Sequence, residues 1–163
     1  MRFIGILLLS LTPILFGLDY RSSLKKRRDL YLKLRSFVIF VKEQIRFCGR
    51  ERDEIFALSD TNLDFNDSFF KSVKNAIKNG ENLTKILYNF NDIRLKPKEI
   101  IEISTFFTEL GKTDTEGQIN HCDYYINLFE QVGRNLSDAY TAKSRISLGL
   151  SFSLTAAMFI IMI

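Results

Sequence analysis

TEGQINHCDYYINLFEQVGRNLSDAYTAKSRISLGLSFSLTAAMFIIMI, residues 115–163, runs for 49 positions without a proline. Its first part carries a stripe, Ile119, Cys122, Ile126, Phe129, Gly133, Leu136, Tyr140 and Lys143, whose steps alternate between three and four. That spacing keeps one face of a helix turned toward a packing partner. The stretch therefore reads as one long helix, and the rest of the chain has to supply its partner.

The second part, residues 146–163, is ISLGLSFSLTAAMFIIMI, without a charge. Eighteen helical residues reach about 27 Å, close to the hydrocarbon thickness of a bilayer. A buried helix of a soluble domain would show a polar face. Here the only polar side chains are Ser and Thr, whose hydroxyls can bond back to the helix backbone. Lys143 and Arg145 stand at the entrance.

The opposite end has the same character. Residues 3–18, FIGILLLSLTPILFGL, carry no charge. A helix of that length spans about 24 Å, and Tyr20 with Arg21 can extend its reach at the interface. Pro13 is tolerated in such a helix. A cleaved signal peptide would need a basic segment before the apolar core and a small-residue cleavage site after it. Only Arg2 precedes the core, and DYRSSLKKRRD follows it, so an uncleaved anchor is expected. Gly149, Ser153 and Ala157 in one anchor, and Gly5, Pro13 and Gly17 in the other, are small residues of the kind that permit close helix approach.

The chain carries a net charge of +4. Residues 2–35 hold eight Lys/Arg and two acids, a local excess of +6, and the rest of the chain nets −2. The excess flanks the first apolar run, where it reads as a topology signal that keeps the central domain in the cytoplasm. A nucleic-acid-binding domain would carry a basic face of its own, so no nucleic acid is expected.

The centre is helical and supplies the partner. Leu30, Leu34, Phe37, Val41, Ile45 and Cys48 recur at steps of three or four, a helix continuing out of the first anchor and breaking near Gly49. Short helices are expected at 50–59, at 67–79 after the capping types Asn66, Asp67 and Ser68, and at 81–90. Gly80 fits a helix stop. Pro97 suits the first turn of a helix at 97–111 closed by Gly111, and Thr113 or Asp114 can cap the last helix. No strand-like alternation appears. The expected fold is all-α: a two-pass membrane protein with a cytoplasmic antiparallel helical bundle of about six helices. The first and last helices are long and continuous with the anchors. Residues 1–22 form the N-terminal anchor, 23–145 the cytoplasmic domain and 146–163 the C-terminal anchor.

Reactive chemistry is sparse. His121 is the single histidine and lies beside Cys122, but adjacent helical residues point in different directions. A thiol enzyme would have to assemble Cys48, Cys122 and His121 across the fold; the plainer reading makes both cysteines small buried apolar side chains. Metal-ligand spacing and a phosphate-binding Gly-rich loop are absent. The sequence favours a scaffold over an enzyme and implies no cofactor.

One segment stands out, FFTELGKTDTEGQINH at Phe106–His121. It gathers Glu109, Leu110, Gly111, Asp114, Glu116, Gly117 and Gln118 around a helix break. A well-made turn accounts for Gly111 and Asp114 but does not demand Glu109 or Gln118.

With its two anchors, its helical centre and an LG..D...Q signature at Leu110, Gly111, Asp114 and Gln118, the chain resembles the stage III sporulation protein AB family. A second match lies around Leu34, Arg35, Glu43, Ile45 and Phe47. The chain departs from the family pattern after the first long helix, where CGRERDEIF (Cys48–Phe56) replaces a Thr-Pro-Leu-like turn. The resemblance implies a non-enzymatic membrane platform component of the sporulation channel complex linking mother cell and forespore. It implies a domain like one unit of the inner-membrane platform protein of type II secretion and type IV pilus systems. The implied partners are other channel membrane proteins and a secretion-type ATPase, stage III sporulation protein AA. From the residues themselves, the Glu109–Gln118 corner is expected to order the bundle, with Glu109 and Glu116 facing that partner. Secretion platforms carry two such units in tandem, and a homodimer would restore the pair. The alternative is a platform or adaptor of a general secretion or pilus system.

Overall fold

The computed structural model describes the backbone of residues 2–59, 61 and 65–162, and the side chains of residues 21–59, 61 and 65–142. Among the described residues there are six helices and no strand: α1 (Arg2–Cys48), α2 (Arg52–Ser59), α3 (Ser68–Lys78), α4 (Leu83–Tyr88), α5 (Pro97–Glu109) and α6 (Thr115–Met162).

The long helices α1 and α6 pair antiparallel. Lys42 bridges to Asp123, Arg35 to Glu130 at 3.2 Å, and Arg21 and Arg28 lie over the Tyr140 ring. As the α1 number falls, the α6 number rises, which fixes direction and register. Half-exposed ion pairs of this kind stabilise by about 0–1 kcal/mol each. The buried side chains between the helices stabilise more, about 1.5–3 kcal/mol apiece. Leu30, Tyr31, Leu34, Phe37, Val38, Val41 and Ile45 come from α1, and Cys122, Tyr125, Phe129 and Leu136 from α6. The apolar seam holds the pair, and the charges select its register.

Phe37 is the hub of the core. Its ring meets Phe56 of α2, Phe65 and Phe70 beside and within α3, and Phe107 of α5, at centroid distances of 5.1–6.0 Å. Short helices that would be marginal alone are thus held by tertiary packing.

The expected breaks are where the chain turns. Gly49, Gly80 and Gly111 have φ of 59°, 67° and 85°, the left-handed region in which a helix stops and that costs other residues strain. Asp67 caps α3 by accepting from the Phe70 amide at 3.1 Å. Asn82 caps α4 through the Lys85 amide, which starts that helix two residues later than the sequence suggests. Pro97 opens α5.

Two expectations need correction. Cys48 is exposed, not buried, because it is the last residue of α1, where the helix has already left the seam. In α6 the seam runs through Tyr125, which is buried, whereas Ile126 is only partly so. An aromatic one position along reaches the packing groove more deeply than the aliphatic residue that fits the period.

No helix among the described residues is long and apolar enough to cross a membrane. The two expected anchors, 1–22 and 146–163, with their small-residue stripes, lie outside the described side chains except for Arg21 and Ser22. The backbone of residues 2–22 belongs to α1 and that of residues 146–162 to α6.

Candidate functional site

The corner between α5 and α6 is built from local bonds. Leu110 is the C-cap residue of α5; its amide donates to the Phe106 carbonyl at 3.2 Å and its side chain is buried in the core. Gly111 then turns the chain at φ 85°. A Cβ there would lie 3.4 Å from the Arg52 Cβ, so the first turn of α2 sits directly over the corner. Asp114 starts α6: its Oδ1 accepts from the Gly117 amide at 3.0 Å and its carbonyl from the Gln118 amide at 2.9 Å. Gln118 reaches back and donates from Nε2 to the Thr113 carbonyl at 2.9 Å.

Gly117, which the sequence places in the same segment, leaves room for the cap: a Cβ would stand 2.7 Å from Asp114 Oδ1 and 2.9 Å from Thr113 Oγ1, so those side chains would have to shift.

A cleft of about 400 Å³ opens beside the corner, lined by Glu51, Arg52, Asp53, Leu110, Gly111, Lys112 and Gln118. It brings together Leu110, Gly111 and Gln118 of the expected site. Glu109, Asp114 and Glu116 stand outside it. Glu109 is exposed and accepts from Lys112 Nζ at 3.0 Å. Glu116 is exposed and has no side-chain bond among the described residues.

The reactive groups are not assembled for catalysis. Cys122 is fully buried, and burial, with a smaller contribution from the Asp123 charge, pushes its thiol up to about 12. It is protonated at neutral pH and therefore a poor nucleophile. Cys48 is exposed. His121 stacks on Phe106 with ring centroids 5.5 Å apart, and its Nε2 lies 3.3 Å from the Phe106 carbonyl. Among the described residues no group of three His, Cys, Asp or Glu could hold a metal ion.

The family model of stage III sporulation protein AB matches residues 2–163. The chain belongs to that family. Membership gives it a role connected with sporulation, and the family is not a known enzyme family. No curated protein and no solved structure matches the chain. In this family member the four signature residues all have structural work at the corner. Leu110 plugs the core, Gly111 makes the turn under Arg52, Asp114 caps α6, and Gln118 ties the Thr113 carbonyl. Arg52 comes from the Cys48–Phe56 segment that follows the first long helix.

The basic cluster after the first apolar run takes on a different meaning in three dimensions. Arg27 is buried in an ion pair with Glu99, the side chains 10% and 9% exposed. Glu99 also accepts from the Lys96 amide at 2.7 Å, which closes the first turn of α5. Arg28 pairs with Asp29, Lys33 with Asp67 and Arg35 with Glu130. Much of the local excess is therefore engaged within the domain. Burial, and then the Glu99 and Glu102 charges, push the Tyr31 hydroxyl well above its ordinary range. Tyr31 OH and Arg27 Nε have no hydrogen-bond partner among the described residues.

Proposed function

We propose that this chain is a non-enzymatic, two-pass membrane platform component of the sporulation channel complex, with a cytoplasmic domain that docks a secretion-type ATPase. The observation that carries this reading is the antiparallel pairing of α1 and α6. It sends residues 2–20 and 143–162 out of the same end of the domain, past the Arg21–Tyr140 contact. At 1.5 Å per residue these helical extensions measure about 28 and 30 Å, the thickness of a bilayer core. Within them lie residues 3–18 and 146–162 of the two uncharged runs. A domain on two parallel struts is suited to passing mechanical load between a motor and membrane partners.

The docking surface for the ATPase, a stage III sporulation protein AA-like protein, is the corner, with Glu109 and Glu116 exposed beside it. Replacing either carboxylate removes at most one exposed ion pair, worth about 0–1 kcal/mol. The fold should therefore survive. In a pull-down from membranes, Glu109→Ala/Glu116→Ala should retain much less ATPase while its circular dichroism is unchanged. Full retention would remove the docking part of the proposal. A homodimer would supply the second unit that tandem secretion platforms contain; crosslinking in membranes tests it.

A thiol enzyme is disfavoured by the protonated, buried Cys122 and by the engagement of His121 with Phe106. A platform for a general secretion or pilus system would share the architecture, but the family match favours the sporulation reading.

A further inference from the structure

Another concavity lies on the far side of the first turn of α2. It encloses about 630 Å³ between α2 and α3. Its floor is apolar, made by Phe56, Ala57 and Ile77, and its rim is basic, made by Arg52, Lys71, Lys74 and Lys78. One carboxylate, Asp53, lines it, and that group bonds Arg52 Nε at 3.3 Å. The field of the groove is thus basic. Lys71 and Lys78 are exposed.

We propose that this groove is a docking site for an acidic, amphipathic segment of a partner protein. Two observations choose that occupant. The exposed Lys71 and Lys78 stand seven residues apart on α3 and so spread over about 10 Å. An elongated ligand matches that row, whereas a single phosphate would meet one cation at a time. The floor of Phe56, Ala57 and Ile77 asks for apolar side chains between the carboxylates, the helix-in-groove mode of recognition. α3 begins beside Lys33, through the 2.7 Å Lys33–Asp67 pair, and the groove follows it to Arg52, which packs on Gly111.

The proposal does not rest on the ATPase reading, since the carboxylates at Glu109 and Glu116 call for a partner surface of opposite charge. The two clefts share Arg52 and Asp53, so one partner with both charges, or two partners, would meet at α2.

The test uses the full chain in neutral detergent micelles. The probe is a labelled helical peptide of about four turns, with leucines on one face and glutamates on the other. A polyglutamate of equal charge, phosphatidylglycerol vesicles and inorganic phosphate are the controls. The peptide should bind saturably and more weakly as salt is raised. Lys71→Glu/Lys78→Glu should weaken it at least ten-fold. Ala57→Trp, which fills the floor without altering charge, should weaken it similarly. Both variants should keep the parent's circular dichroism and melting temperature. Equal binding by parent and variants would overturn the proposal. So would polyglutamate, lipid vesicles or phosphate binding as tightly as the peptide. Glu109→Ala/Glu116→Ala should leave peptide binding unchanged, which separates this result from that of the ATPase pull-down.

Discussion

Two groups of basic residues, on α1 and on α3, are used differently. Near the end from which both long helices leave, residues 21–35 hold seven Lys/Arg. Arg27 is buried on Glu99, Arg28, Lys33 and Arg35 are ion-paired, and Arg21 and Arg28 cover Tyr140. On α3, Lys71 and Lys78 stand exposed around an apolar-floored groove. In the sequence the cluster at 21–35 is conspicuous, whereas the α3 lysines resemble an ordinary solvated helix face. The lesson is that charge density along a chain does not say where charge is available. That depends on which acids the fold brings back from 34 to 95 positions away.

The sharpest way to break this comparison is to remove one member of the buried pair. Arg27→Ala or Glu99→Ala leaves an uncompensated buried charge, and urea unfolding should show a loss of about 3–5 kcal/mol. Replacing both by apolar residues of similar volume should cost far less. Next comes the corner under Arg52. Gly111→Val forces a β-branched residue to φ 85° against the Arg52 side chain, and should cost about 1–3 kcal/mol in the same assay. Asp114→Ala removes the α6 cap and should cost about 1 kcal/mol. On α3, Lys71→Glu/Lys78→Glu should change stability by less than about 0.5 kcal/mol. A large loss there would show that the lysines are structural and would erase the contrast.

The smallest effect is one of pH. The Arg134 guanidinium, with help from Arg35, holds the Glu130 carboxyl below its usual range. A carboxylate lowered in the folded state adds stability above its unfolded pKa, and that stability is lost as pH falls through the folded value. Melting temperatures of the parent and Glu130→Gln should therefore differ slightly at neutral pH and converge in acid. A gap that widened on acidification would reverse the assignment.

Much of the fold is legible in the sequence. Gly49, Gly80, Pro97 and Gly111 punctuate it where the helices end or begin, because left-handed stops and a fixed first-turn φ are properties of single residues. The antiparallel pairing of the outer helices follows from two stripes of similar length. The stripes do not reveal that Tyr125 displaces Ile126 from the seam, since periodicity names a face and not the depth each side chain reaches. Cys48 keeps step with Leu34 and Ile45, which puts it on the buried stripe by period, but the helix ends there and leaves it exposed. At the corner, the roles of Gly111 and Asp114 are visible from residue type and spacing. The seat of Arg52 on Gly111 and the pairing of Arg27 with Glu99 are not, because each joins residues more than 50 positions apart.

The central claim is that α1 and α6 leave the same end of the domain to cross a membrane, with the domain in the cytoplasm. Cys48 is a built-in reporter, exposed on the domain, while Cys122 is buried and protonated. In intact non-sporulating bacterial cells expressing the full chain, a membrane-impermeant maleimide should leave Cys48 unmodified and label it after permeabilisation. An Arg2→Cys companion should be labelled from outside at residue 2. Labelling of Cys48 in intact cells would contradict the account.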